Sequence, residues 1–346
     1  MEVTGFIMPT YCEGGGMLNI NGNNIFTRNI IITPDEAETI RNRFHNKDCY
    51  ISAYQYDSQD RNTAKLFGPY YIDLDYQLDN DDHLKILKYD LRQIYSFLRF
   101  QCDIPKESIN IYFSGCKGFH ILVDQRVFGI KEFRANLNQQ YKSMTSYILD
   151  NIISYKTTDL KIYDKSRLFR MVNSINCKTG LYKVPIDFDK LMSLSYDGLR
   201  EYAKKPRLLL VKKTQVQPVQ KAIDKFKSIW QESEALYSKQ RSIANRSNIE
   251  IPQCINNMIE AGSQQGNRNN TCIIIASALA QSGKTEEEIS EALTEWNSHN
   301  TPRLGNREIK SVITSALKEH NAGKGYGCRS IRELGYCVGV ECKYYR

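Results

Sequence analysis

The sequence predicts an α+β protein with a mixed α/β domain over residues 1–199, a basic linker over 200–249 and an all-α domain over 250–346. Three observations carry this. In the first part, short alternating apolar runs interleave with apolar residues spaced three and four apart. The last part reads as helices followed by a cysteine-rich tail. The positive excess of the chain falls entirely between the two.

Taken in order, strand signals before residue 50 are weak apart from the β-branched run Asn29–Thr33, and Gly14–Gly16 reads as an isolated flexible loop. Cys49–Tyr56 and Tyr70–Tyr76 alternate as strands do. Leu84, Leu87, Leu91, Ile94 and Leu98 fall on one helical face. Ile109–Gly115 and Gly118–Asp124 are alternating runs joined at Gly115–Gly118, which predicts a hairpin. Glu132–Ile153 reads as a helix, and Leu168–Ser174 and Leu181–Asp187 as two further strands. One helix is expected in the linker, around Ala222–Leu236. Beyond it, Thr285 with Glu288 three residues later is a capping box, followed by Ile289, Leu293 and Trp296 on one face. A last helix, Arg307–Lys318, presents Ile309, Val312, Ile313, Ala316 and Leu317 to a core.

Composition narrows the function classes. A length of 346 residues suggests two or three domains, and 41% hydrophobic with 25% charged residues excludes disordered and collagen-like chains. No run approaches the ~20 apolar residues of a membrane span. The start lacks a basic segment followed by an apolar one, so no signal peptide is expected and the protein reads as cytoplasmic. There, ten cysteines are unsuited to a disulfide framework and some are candidate metal ligands. Residues 1–199 hold 24 basic and 24 acidic side chains, and 250–346 hold 11 of each. The linker holds 12 basic against four acidic, the whole of the net +8. It is either a solvated connector or a bridge facing nucleic acid.

Asp73 and Asp75 are the sharpest local signal. Two apart in a strand, they share a face and repel unless a cation lies between them, and hard oxygen ligands suit Mg²⁺ or Mn²⁺. D-x-D alone is weak. Ser114-Gly115-Cys116-Lys117-Gly118-Phe119-His120 then joins two strands with flexible backbone, phosphate donors and an emerging histidine, a plausible triphosphate cradle. In the stretch 159–180, Asp159 would complete a three-carboxylate site for two metals, and Arg167 and Arg170 offer guanidinium forks to phosphates. Lys178 and Lys183 add positive charge. Asp164 is either the third acid or an arginine's partner.

In this order, D-x-D, S-G-x-K-G-x-H and D…R-x-x-R…S…K-T-G resemble the signature of archaeo-eukaryotic primases, including the primase-polymerases of phages and plasmids, over roughly residues 50–190. The resemblance implies an RRM-like mixed sheet in the catalytic domain. It implies Asp73, Asp75 and Asp159 as metal-binding acids for a Mg²⁺ or Mn²⁺ pair. Ser114, Lys117, Gly118 and His120 would contact the nucleotide's phosphates, and Arg167, Arg170, Ser174 and Lys178 the nucleotide or template. Two departures stand out: Asn176 where the replicative small subunit carries histidine, and no inserted zinc module between Cys116 and Cys177.

Six cysteines (12, 49, 102, 116, 177 and 272) are scattered and read as small buried or incidental residues. Cys328, Cys337 and Cys342 lie within a 15-residue tail, and Cys254 is the best fourth ligand, with His320 as the fallback. Residues 266–318 resemble the helical domain that follows the catalytic domain in phage and plasmid primases. P-x-C followed by C-x(8)-C-x(4)-C is similar to the iron–sulfur domain of the primase large subunit. Four thiolates fit a [4Fe–4S] cluster or Zn²⁺, and the C-x(8)-C spacing favours the cluster. Ser282–Thr285 ends like a phosphate-binding loop, but Ala278 stands where that motif needs glycine.

The leading expectation is a DNA-dependent primase-polymerase that works on single-stranded DNA with NTPs or dNTPs, beside a helicase supplied as a separate chain. The alternatives are a non-catalytic single-stranded nucleic-acid-binding module and another metal-dependent phosphoryl-transfer enzyme such as a nuclease. Residues 1–48 are expected to pack against the catalytic sheet.

Overall fold

The protein is described by a computed structural model covering residues 10–20, 23–61, 63–208, 216–244, 250–263, 266–321, 325–342 and 344. The opening residues 1–9, on which the expectation about a leader rests, and linker residues 209–215 and 245–249 lie outside it. Two compact units follow one another, Met1–Gln231 and Glu232–Arg346.

The first unit opens with a hairpin of β1 (Cys12–Ile20) and β2 (Asn23–Ile32), then α1 (Ala37–Arg43) and β3 (Tyr50–Ser52). The glycine run expected as a flexible loop is therefore strand. Gly14 and Gly16 lie where α1 approaches: a Cβ at Gly14 would sit 2.3 Å from Ile40, and one at Gly16 2.4 Å from Phe44. No side chain fits between strand and helix at those points. The segment Cys49–Tyr56 divides after β3, and β4 (Gln55–Tyr56) pairs instead with β5 (Leu66–Phe67).

Then come β6 (Tyr70–Asp75), α2 (Asp81–Ser96), β7 (Ile109–Phe113), β8 (Gly118–Val123), α3 (Leu137–Asn151), β9 (Leu168–Arg170) and β10 (Val184–Pro185). Asn80 caps α2 by accepting the His83 N–H, and its buried residues Leu84, Leu87, Leu91 and Ile94 repeat the sequence spacing. Helix α3 starts later than its apolar pattern does, because Arg134 is held extended in a bridge to Leu66. The run around β10 shrinks to two residues, since Pro185 has no N–H to continue a ladder.

Two four-stranded sheets result, with orders β2-β1-β3-β9 and β10-β7-β8-β6, and every pairing in them is antiparallel. The core clusters around the second sheet with α2 and α3, and a smaller cluster of Cys12, Ile32, Ile40, Phe44, Cys49 and Met171 lies under the first. Of the residues before 49, those described as strand, β1 and β2, thus join β3 and β9 in a sheet separate from the one that carries β6. The unit continues through α4 (Phe188–Ser193), α5 (Tyr196–Tyr202) and the first half of α6 (Gln220–Ala244). Ala203, Ala222, Phe226 and Ile229 are buried in its core, so it extends past the boundary expected at residue 199 and takes in the basic linker up to Gln231.

The described residues of the second unit contain helices and no strand: α7 (Gln253–Ala261), α8 (Arg268–Gln281), α9 (Glu286–Ser298), α10 (Asn306–Asn321) and α11 (Cys328–Glu333). Its core is apolar, with Trp296 at its centre and Ile255, Met258, Ile275, Ile289 and Leu293 fully buried. The Thr285 capping box forms as the sequence predicts, closed by reciprocal bonds with Glu288.

Candidate active site

The site begins with strand register. Antiparallel pairing of β6 with β8 sets Asp73 opposite His120 and Asp75 opposite Gly118, while β7 sets Tyr112 on the other side of His120. Residues opposite one another share a face, so Asp73, His120 and Tyr112 form one row across the sheet. Gly118 is needed for the pairing itself: a Cβ there would lie 1.9 Å from the Leu74 carbonyl oxygen. Its role in the fold is close strand approach. The Ser114 hydroxyl accepts bonds from the Cys116 and Gly118 N–H groups at 3.3 and 3.2 Å and shapes the connecting turn. Lys117, exposed at its tip, places Nζ 2.9 Å from Asp75.

Asp159 is brought to the same edge by a loop. Its N–H donates to the Asp73 carbonyl and the Asp75 N–H to the Thr157 carbonyl, while the Asp159 carboxylate accepts the Lys161 N–H. That loop is anchored by Asp90 of α2. Fully buried, Asp90 accepts from the N–H groups of Ser154, Tyr155 and Thr157 and from the Thr157 hydroxyl, all at 3.0–3.1 Å. Asp90 thus holds the loop from within the fold, and the apolar spacing of α2 does not mark it.

The electrostatics of this edge are those of acids crowded together. Burial, and then the neighbouring Asp75, raise the Asp73 pKa to about 7, and Asp159 adds to the effect. His120 is 7% exposed, and burial followed by Lys183 and Arg170 pushes it well below the ordinary histidine value, so the imidazole is neutral. Its Nε2 stands 3.5 Å from Asp73, and its Nδ1 is buried without a partner. Lys183, expected only to add positive charge, is 3% exposed. Its Nζ lies 5.3 Å from the ring centre of Tyr112 and 5.5 Å from that of Phe169. Burial, partly offset by Asp73, lowers its pKa to about 7.

The remaining predicted residues divide. Arg167 donates to the Ile162 and Lys161 carbonyls and pairs with Asp164 at 2.9 Å, which gives Asp164 the role of an arginine's partner. Arg170 binds Asp48, the Tyr50 hydroxyl and the Ile175 carbonyl. Both forks are engaged within the protein. Ser174 differs most from its expected role. It is fully buried, its hydroxyl accepting from the Cys49 N–H and donating to the Asn46 carbonyl, so it supports the loop from within. Lys178 is exposed on the next turn, where Asn176 accepts its N–H.

In the second unit Cys254, Cys328, Cys337 and Cys342 line one small cavity together with Pro252, Ile331 and Tyr344. All four are free thiols. The Cys254 pKa is raised by burial and then by each of the other three. Among the described residues no group of three or more His, Cys, Asp or Glu is set to hold a single metal ion as it stands.

Residues 256–322 match the family Primase C terminal 1 (PriCT-1), a stretch that covers less than half of the chain. The four cysteines lie outside it, one before and three after. The chain is also similar to the crystal structure of primase RepB′ at 12% identity, over 94% of this chain and 92% of that one, with a TM-score of 0.32; so distant a likeness carries no argument. No curated protein matches the chain.

Proposed function

We propose that the protein is a DNA-dependent primase-polymerase that makes and extends primers on single-stranded DNA by two-metal nucleotidyl transfer. The observation that carries the reading is the gathering of Asp73, Asp75 and Asp159 on one sheet edge beside Lys117, His120 and Lys183. A primase C-terminal match follows in the same chain. The donor set fits divalent cations: three carboxylates crowd an edge where Asp73 does not readily hold its charge unaided. Mg²⁺ or Mn²⁺ held by these acids would help deprotonate the primer 3′-hydroxyl and neutralise the leaving pyrophosphate.

The residues of the chain do the rest. Lys117, released from Asp75 once that carboxylate is occupied, reaches the triphosphate. His120, neutral and with its Nε2 3.5 Å from Asp73, meets a phosphate oxygen without adding a proton to the reaction. Lys183 lies buried beneath them with its pKa lowered to about 7, and Asp90 keeps the Asp159 loop in register with β6. As the 3′ oxygen bonds to the α-phosphorus, the bond to pyrophosphate breaks and the hydroxyl proton leaves to solvent. In this reading the second unit positions template and initiating nucleotide, and a separate helicase opens the duplex. Template binding weakens steeply with salt.

The four thiols belong to the same proposal as a [4Fe–4S] site, with Zn²⁺ as the alternative. They line one cavity, and the C-x(8)-C spacing is longer than that usual for zinc. The tail would then be clamped to the start of α7.

The test incubates the full chain with a single-stranded template, nucleotides and Mg²⁺ or Mn²⁺. Oligonucleotide product is expected, and its absence under every metal and nucleotide condition overturns the reading. Asp73→Ala with Asp75→Ala is expected to lower synthesis at least a thousand-fold while the fold persists. Anaerobically purified protein is expected to hold iron, and Cys254→Ser to release it; zinc without iron removes the cluster.

A further inference from the structure

The first sheet has two unlike faces. On one, α1 packs directly over Gly14 and Gly16 and buries Ile40 and Phe44. On the other, register sets Phe26 opposite Met17, Gly15 opposite Tyr50, and Tyr50 opposite Arg170. Gly15 contributes no side chain between them, so the Phe26 ring reaches across β1 to meet Tyr50 edge to face, with centroids 5.4 Å apart at 89°. Tyr50 is in turn held by Arg170, whose guanidinium lies 4.9 Å over the ring and donates to the hydroxyl at 2.8 Å. Arg170 is fixed by Asp48. The outcome is a ring, Phe26, that is 43% exposed yet rigidly backed.

The surroundings point to what such a ring takes. Asp48, which fixes Arg170, also accepts the N–H of Cys177, just before the exposed Lys178, and Thr179 of that loop donates to the carbonyl of Gly115, two residues before the exposed Lys117. Phe169, next to Arg170 in β9, packs against the His120 ring at 4.7 Å. The brace behind the ring is therefore bonded to the Lys178 loop and, through it, to the Lys117 turn. An aromatic face beside lysines suits an unpaired base and its phosphates.

We infer that Phe26, braced by Tyr50 and Arg170, is a stacking site for an unpaired base of a single-stranded DNA template. The chemistry of the stack stands by itself; only the template's passage onward to the acids rests on the polymerase reading. The β1–β2 hairpin thereby gains a function, since it carries the ring against Tyr50.

The experiment measures fluorescence anisotropy of a labelled single-stranded oligonucleotide against the full chain, without nucleotide. Phe26→Ala is expected to weaken binding about five-fold or more, Phe26→Trp to retain it, and duplex binding to be unaffected by either. Both variants are expected to melt as the parent does. Unchanged single-strand affinity in Phe26→Ala overturns the inference. So does an equal loss on duplex, or an effect confined to the KM for nucleotide, which would make the ring a nucleotide contact. If the parent makes no primer but Phe26→Ala still loses single-strand binding, the polymerase reading fails and this one stands.

Discussion

The two units of the chain are held together by different forces. In the first, the surroundings of the site hang on carboxylates buried far from their partners in sequence. Asp90 gathers a loop 64 to 67 residues away, and Glu13 collects Arg28, Arg61 and the Asn29 N–H. In the second, an apolar core around Trp296 is assembled from helices whose caps and faces are local in sequence. The contrast teaches that a charged site needs rigid polar scaffolding behind it, whereas a helical module needs only patterned burial.

Breaking the first unit's scaffold is expected to have the largest effect. Asp90→Asn is nearly isosteric but sets an amide NH₂ against N–H donors, at a cost of about 3 kcal/mol by urea unfolding. It is also expected to lower primer extension on the order of a hundred-fold through misplacement of Asp159. Unchanged extension would mean that Asp159 is positioned by other means.

Glu13→Gln gives the next largest effect, about 2 kcal/mol, because the parent carboxylate is fully buried and takes charge-assisted bonds from two guanidinium groups. Burial raises the Glu13 pKa, but the bonds from Arg28, Asn29 and Arg61 outweigh it and the net shift is downward. A carboxyl held below its unfolded value stabilises the fold fully above the unfolded value, near 4.3, and loses that contribution as pH falls through its folded value. The stability difference between parent and Glu13→Gln is therefore expected to be flat from pH 7 to about 5 and to shrink below about 4. A difference that shrank on the alkaline side would refute the assignment. The smallest effect belongs to the second unit: Thr285→Ala removes one cap and costs about 1 kcal/mol, read as a shift of a few degrees in that unit's calorimetric transition with extension unchanged.

What could be read from the sequence follows the same division. The D-x-D strand, the Ser114–His120 hairpin, the face of α2 and the Thr285 cap were legible because their causes lie within a few residues. The β1–β2 hairpin was not: its glycines look like a loop until Ile40 of α1 and Phe44 just after it are seen to require them. Neither was Lys183, an unremarkable lysine beside a short apolar run until β10 pairs with β7 and buries it. Asp90 escaped for the same reason, since its partners are brought by the fold. The boundary at residue 199 followed composition, whereas Phe226 and Ile229 follow the core.

The missing Cβ of Gly118 has a consequence for how the protein is counted. Any other residue facing the Leu74 carbonyl is excluded, so β6 and β8 have one register. A slip of one position would turn both aspartates toward the opposite face of the sheet. The folded register therefore keeps Asp73 and Asp75 on one face of the sheet. An active-site titration should therefore report the folded fraction directly, and a damaged preparation should lose amplitude while its surviving molecules keep their full rate.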